Sequence, residues 1–226
     1  MRVYGKADGY NAAVYSGDHG RTWHASAPFP VNGTGEGAIV ERTDGVLYYS
    51  SRKHFFTGDE KRTACRLFAW SRDGGETWVD PAYHRNLPDG PRYRGEERKA
   101  ACYNGHFGMA GGLKRLELPG RDVLIYSNAD QEGHTRHLMT VWASFDGGVS
   151  WPVKRLFDEG PAAYSSLAAG WPGTPSEGWI FLLFERWQNR KGTIGPAGLG
   201  HFVRFNLAWL LEGESTGDGQ APPSLQ

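Results

Sequence analysis

Three aspartates with matching surroundings are the first residues of this chain whose type and spacing could do chemistry. Asp18, Asp73 and Asp146 each take the third place of an eight-residue phrase, Ser-x-Asp-x-Gly-x-Thr/Ser-Trp, which begins at residues 16, 71 and 144. Carboxylates of this kind can bind calcium. A calcium-binding loop, however, has further oxygen ligands spaced two residues apart, and the phrase lacks them. Aspartate also accepts hydrogen bonds from nearby backbone amides, and glycine supplies positive φ. We therefore expect each phrase, hereafter a box, to form a tight turn whose tryptophan packs between strands.

Histidine and cysteine offer no pattern for a metal or redox site. His134 and His137 are close in sequence, but no carboxylate or cysteine pattern completes a metal site around them, and Cys65 and Cys102 have no metal or redox spacing. No cofactor is predicted. Lys plus Arg and Asp plus Glu both number 25, which gives no electrostatic reason to expect nucleic acid as a partner. The chain shows no membrane span and no signal peptide, so its compartment is left open, secreted and periplasmic parents included.

Short segments rich in β-branched and aromatic residues surround the boxes and predict strands. Strand pairs joined by Asp44-Gly45 and by Pro119-Gly120 lead through a third strand into the second and third boxes, and another strand follows each box. Two strands accompany the first box. Three more strands, SSLAAG, GWIFLLFER and GHFVRFNL, come after the strand that follows the third box. Such four-stranded repeats are typical of β-propeller blades. The sequence predicts an all-β partial propeller of about three and a half blades over residues 1–211, followed by a disordered polar tail over 212–226.

Segments between and after the boxes resemble the active-site segments of exo-α-sialidases (neuraminidases) with Asp-box repeats. They are GEGAIVERTDGVLYYSSR at 35–52, the stretch from Arg136 into the third box, GPAAYSSLAAG at 160–170, and FLLFERW at 181–187. The resemblance departs from many relatives at Gly37 and Ala38, where those have Cys-Gln. It implies that the chain is the C-terminal portion of a six-bladed sialidase propeller. The implied substrates are sialylated glycans, glycoproteins and glycolipids.

The resemblance gives five residues a role. Tyr164 corresponds to the catalytic nucleophile and Glu36 to the catalytic glutamate. Arg52 and Arg136 correspond to the second and third arginines of a carboxylate-binding triad, and Glu185 to a residue that orients a triad arginine. The implied reaction is hydrolysis with retention through a covalent tyrosyl intermediate. No motif matches the acid/base aspartate or the first triad arginine, so we expect this polypeptide alone to be inactive or severely impaired.

The chemistry of sialic acid is consistent with these residue types. Its anomeric carbon carries a carboxylate, which would repel a carboxylate nucleophile roughly 4 Å away by about 4 kcal/mol at an effective dielectric near 20. A neutral phenol avoids that repulsion, and a base such as Glu36 is needed to take its proton. Guanidinium groups bind a carboxylate through paired hydrogen bonds. Glu36 and Tyr164 each precede the first strand of a unit, and such positions gather around one end of a propeller channel.

Two other functions remain open from the sequence. Asp-boxes also occur in propellers without sialidase activity, so a non-catalytic carbohydrate- or protein-binding module is the main alternative. A different glycoside hydrolase on the same scaffold is the second. Taken singly, the candidate residues could also be a loop acid, strand-end charges and a packing residue. An upstream segment with a matching arginine and a candidate acid aspartate would favour the sialidase.

Overall fold

Antiparallel strands account for nearly all regular structure in the chain, as a computed structural model shows. The structure describes residues 9–53, 65–89, 109–118, 121–130, 136–187 and 198–223. The chain divides into two compact units, Met1–Gly108 and Met109–Gln226. The all-β prediction is confirmed, whereas the boundary of a single propeller domain at residue 211 stays a prediction. No helix in the described part of the chain is long and apolar enough to cross a membrane.

The first unit contains a strand pair and a four-stranded sheet. β1 (Val14–Tyr15) and β2 (His24–Ala25) flank the first box and pair with each other. The sheet has the order β3-β4-β5-β6, all antiparallel, with bounds Thr34–Glu41, Leu47–Lys53, Cys65–Ser71 and Val79–Pro88. The second box lies between β5 and β6, as the sequence predicts.

Side chains on the two faces of this sheet differ because successive residues of a strand point to opposite sides. One face forms a core with the segment after β2, from Phe29, Tyr49, Leu67, Ala69 and Trp78. The other face carries a run of rings in contact with one another, from Tyr48, Phe68, Trp70 and His84. The same face continues past the rings into polar side chains.

The second unit contains the two remaining predicted sheets. The first has the order β14-β10-β9-β8-β7 and the second the order β11-β12-β13. The bounds are Gly112–Leu118 for β7, Arg121–Ala129 for β8, His137–Ser144 for β9, Val153–Pro161 for β10, Ser165–Ala169 for β11, Trp179–Trp187 for β12, Gly198–Asn206 for β13 and Glu214–Ser215 for β14. One apolar core joins the two sheets and includes Ile125, Met139, Val141, Ile180, Leu182 and Phe184, none of them more than 2% exposed.

The boxes form the predicted tight turns, all with one hydrogen-bond pattern. In the third box the Ser144 hydroxyl accepts from the Gly148 amide at 2.8 Å and donates to Asp146 Oδ1 at 2.8 Å. The Ser150 amide donates back to Asp146 Oδ1 at 2.9 Å. Gly148 has φ +93, in the left-handed region that favours glycine. The same contacts recur in the first and second boxes.

The tryptophans that end the boxes follow the prediction in two cases of three. Trp78 is 6% exposed and Trp151 is fully buried, but Trp23 is 63% exposed. The indole of Trp23 donates back to the carbonyl of Gly20 at 3.1 Å, inside its own turn. β1 and β2 have only two residues each, so this pair covers less of the ring than the larger sheets do.

The segment after β13 takes a form that the sequence analysis does not anticipate. The sequence predicts disorder from Glu212 to Gln226, whereas the structure places helix α1 at Leu207–Leu211 and pairs β14 (Glu214–Ser215) with β10. Thr216 Oγ1 donates to the carbonyl of Trp151 at 2.7 Å. Polar composition suggested disorder, but these polar groups have specific partners on the neighbouring sheet.

Candidate functional site

Glu36 and Arg52 form an ion pair in the first unit. Arg52 Nη1 donates to Glu36 Oε2 at 2.5 Å, and the side chains are 3% and 28% exposed for the arginine and the glutamate. The hairpin around Asp44-Gly45 brings them together, since its ladder pairs Ala38 with Ser50 and so points residue 36 towards residue 52. A buried guanidinium with one edge on a partly exposed carboxylate is suited to binding a second carboxylate.

The backbone around Glu36 departs from a regular strand. The register of β3 against β4 shifts between Thr34 and Gly37, which places Glu36 inside the irregular stretch. A Cβ at Gly37 would lie 2.2 Å from Cε2 of Tyr49, so the backbone passes directly over that ring. Burial raises the pKa of the Tyr49 phenol. The close approach of Tyr49 therefore leaves no room for a larger side chain at position 37.

Two further charged residues lie beside this pair, and the sequence analysis did not identify them. Arg66 Nη1 lies 3.1 Å from Asp89 Oδ1, with side chains 0% and 1% exposed. The signal was present in the strand TACRLFAWS, where arginine alternates with Phe68 and Trp70 on one face. A charged residue in that register is placed for burial and needs a partner of opposite charge.

Arg136 and Tyr164 lie together in the second unit. The guanidinium carbon of Arg136 is 5.1 Å from the centre of the Tyr164 ring, within cation–π range. The Arg136 carbonyl accepts a hydrogen bond from the amide of Ala162 at 3.1 Å, which joins the start of β9 to the segment before β11. The Tyr164 side chain is 36% exposed. The structure thus brings a cation onto a solvent-accessible phenol.

Glu185 contacts the backbone of Tyr164. Its Oε2 accepts from the Tyr164 amide at 3.4 Å, and its own amide donates to the Tyr164 carbonyl at 2.9 Å. The predicted role of Glu185 in orienting a triad arginine stays a prediction. Ser165, which the sequence analysis left without a role, binds the same segment to the neighbouring sheet, since its hydroxyl donates to the carbonyl of Ser127 at 3.0 Å and accepts from the amide of Gly112 at 3.1 Å.

The box aspartates are held by the turns they form. Hydrogen bonds from the amide and hydroxyl of Thr22 lower the pKa of Asp18 to about 2. Equivalent bonds from Thr77 also hold the pKa of Asp73 well below its ordinary value. Within the described ranges no group of three or more His, Cys, Asp or Glu side chains gathers as a metal site. His134, Cys102 and the side chain of Cys65 lie outside the described residues.

The repeated boxes and the antiparallel sheets around them define an Asp-box β-propeller chain. The chain belongs to the family of the BNR repeat-like domain, which matches residues 3–174. It is similar to a sialidase of Micromonospora viridifaciens, with 33% identity over 198 residues that cover 88% of this chain and 25% of the relative. The chain therefore spans about a quarter of the length of that curated relative.

Solved structures with a similar fold include sialidases and trans-sialidases. The Hadza microbial sialidase Hz136 is 25% identical with a TM-score of 0.61, and the alignment covers 89% of this chain and 33% of that one. The intramolecular trans-sialidase of Ruminococcus gnavus is 21% identical with a TM-score of 0.62, covering 91% and 39%. The leech intramolecular trans-sialidase is 20% identical with a TM-score of 0.64, covering 91% and 28%. The resemblance to Asp-box sialidases and the propeller fold that it implies are confirmed.

Proposed function

We propose that the chain is the part of an exo-α-sialidase that supplies the nucleophile and two of the carboxylate-binding arginines. The observation that carries the proposal is the contact between Arg136 and the exposed Tyr164, at the position where the resemblance places the nucleophile. A guanidinium stays positively charged at every relevant pH, and opposite charges close to each other attract. Arg136 would therefore stabilise negative charge that develops on the phenol oxygen during attack, besides binding the substrate carboxylate.

The proposed reaction uses the ion pair of Glu36 and Arg52 and the contact of Arg136 with Tyr164 in complementary ways. The Tyr164 oxygen attacks the anomeric carbon and forms a covalent bond as the glycosidic bond breaks, and Glu36 accepts the phenol proton. Arg52 and Arg136 bind the carboxylate that the anomeric carbon carries. Water then hydrolyses the tyrosyl intermediate, which gives retention. The departing oxygen needs a proton from an acid for which this sequence offers no matching motif, so the 226-residue polypeptide alone is expected to turn over little or not at all.

Ligand binding by the 226-residue chain tests the carboxylate site without turnover. The Trypanosoma rangeli sialidase has been solved with the inhibitor DANA, and we expect the same compound to bind this chain. Replacing Arg136 by Lys should weaken binding measured by calorimetry at least about tenfold, because the paired hydrogen bonds are lost. Arg204→Lys is the matched control, since that guanidinium also stacks on a ring, 4.4 Å from the centre of Trp179, outside the candidate site. Equal losses in both variants would contradict the proposal.

Turnover by a longer polypeptide that contains this chain tests the nucleophile. Tyr164→Phe should lower hydrolysis of a fluorogenic α-sialoside by at least about 10³-fold while the protein stays folded. Tyr83→Phe is the control, because Tyr83 is 38% exposed and Tyr164 is 36% exposed. Neutral glycosides serve as the comparison substrates. If the protein hydrolyses a neutral glycoside and Tyr164→Phe retains that activity, the protein is a different glycoside hydrolase and the sialidase proposal is wrong.

A further inference from the structure

A buried ion pair in the first unit has no part in the proposed reaction. Arg66, at the start of β5, and Asp89, directly after β6, are joined at 3.1 Å and are shielded from solvent, with side chains 0% and 1% exposed. Burying two charges is costly, and apolar residues of similar size often stabilise a fold as well or better. The neighbours of Arg66 on the same face, Phe68 and Trp70, are indeed aromatic. The pair therefore calls for an explanation beyond packing.

Arg66 also donates hydrogen bonds to the two strands that carry Glu36 and Arg52. Its Nε donates to the Ser50 hydroxyl at 3.2 Å, and its Nη2 reaches the carbonyl of Ser50 at 3.4 Å and that of Glu36 at 3.5 Å. Ser50 lies two residues before Arg52 on β4, and Glu36 lies in the irregular stretch of β3. One guanidinium therefore connects β3, β4 and β5 with the residue after β6.

The strand register adds an electrostatic reason for Asp89. The ladder between β4 and β5 runs to Ser51 opposite Leu67, so its next step places Arg52 beside Arg66. Like charges at facing positions repel each other. Glu36 pairs with Arg52 on one side of this row, and Asp89 pairs with Arg66 on the other. Each acid thus neutralises one of the two arginines.

We propose that Arg66, held by Asp89, is a positioning residue that fixes the Glu36 backbone and the Arg52 guanidinium in the geometry that the proposed function requires. The inference rests on that proposed function, but it concerns an arrangement that is measurable without substrate. Arg66 holds the backbone of the acid directly, and it holds β4 at Ser50, two residues before Arg52. Asp89 keeps the positive charge of Arg66 from displacing Arg52.

The test measures the rotation of the Arg52 guanidinium about its Nε–Cζ bond, from nitrogen NMR line shapes of the 226-residue chain. A guanidinium held in a hydrogen-bonded pair rotates slowly, and loss of about one such bond corresponds to roughly tenfold faster rotation. We expect that acceleration in Arg66→Lys, which keeps the charge and loses the fork, and in Asp89→Asn, which keeps the shape and loses the charge. Tyr48→Phe is the control, because it removes a buried hydrogen bond to His84 at 2.8 Å on the same face.

The rotation rates of Arg52 in these variants either support or overturn the positioning role of Arg66. Faster Arg52 rotation in Arg66→Lys and Asp89→Asn, with Tyr48→Phe at the wild-type rate, supports a positioning role. A folded Arg66→Lys with unchanged rotation overturns it, and so does equal acceleration in the Tyr48→Phe control. If neither Arg66→Lys nor Asp89→Asn folds, the ion pair is structural and the proposal is wrong. Absence of DANA binding by the unmodified chain would refute the proposed function alone, because the rotation measurement does not depend on a ligand.

Discussion

Removing the serine hydroxyl from each box should destabilise the protein by an amount set by burial. Ser71 and Ser144 are fully buried, and their hydroxyls accept from the amides of Gly75 and Gly148, both at 2.8 Å. Serine-to-alanine replacement leaves those buried amides without their acceptor, at a cost of about 1–3 kcal/mol. The equivalent bond in the first box, from Gly20 to Ser16, is exposed, so water can replace it. There we expect no more than about 0.5 kcal/mol.

The assay compares the three matched alanine variants by thermal unfolding and by amide hydrogen exchange. About 2–4 °C is lost per kcal/mol for proteins of 150–250 residues, so Ser71→Ala and Ser144→Ala should lower the unfolding temperature by about 2–12 °C. Ser16→Ala should lower it by less than about 2 °C. Exchange of the Gly75 and Gly148 amides should accelerate in their own variants. A loss in Ser16→Ala as large as in the other two would refute the argument that burial sets the cost.

Three further predictions concern pH and close backbone contacts. Because the folded pKa of Asp18 lies near 2, below its ordinary 3.8, the box contributes stability above about pH 4 that is lost as the pH falls towards 2; a carbon NMR titration of that carboxyl checks the value. Gly170→Ala would place a Cβ 1.7 Å from the carbonyl oxygen of Ser176, and should cost about 1–3 kcal/mol in chemical denaturation. Gly213→Ala would place a Cβ 2.2 Å from the carbonyl oxygen of Lys154, and should expose the segment after α1 to limited proteolysis.

Much of the fold followed from local patterns in the sequence. The boxes and the strands between them predicted the sheets β3–β6 and β7–β10 and the three strands β11–β13, all of which the structure shows. The ion pair of Glu36 and Arg52 was also within reach, because a hairpin centred near Asp44 brings residues eight positions before and after the turn together. Their separate roles were predicted, but their contact with each other was not.

The sequence could not predict contacts between residues that lie far apart along the chain. Asp89 lies 23 residues from Arg66, and no local pattern connects a polar residue after one strand with an arginine at the start of another. α1 was missed because its five residues are too few for a periodic pattern, although Asn206 is a good N-cap and accepts from the Trp209 amide at 2.8 Å. The pairing of β14 with β10 likewise depends on contacts across many residues.

The pairing of β14 with β10 has a consequence for synthesis of the chain. The partner of Val153 is Ser215, which a ribosome adds roughly 60 residues later, or about 3–12 s at 5–20 residues per second. For that time this end of β10 is an open edge in the nascent protein, and open edges invite pairing with other chains. Lys154 and Arg155 lie at that edge, and charged side chains there oppose such pairing. The last strand described thus closes an edge that the chain has to protect while it is being made.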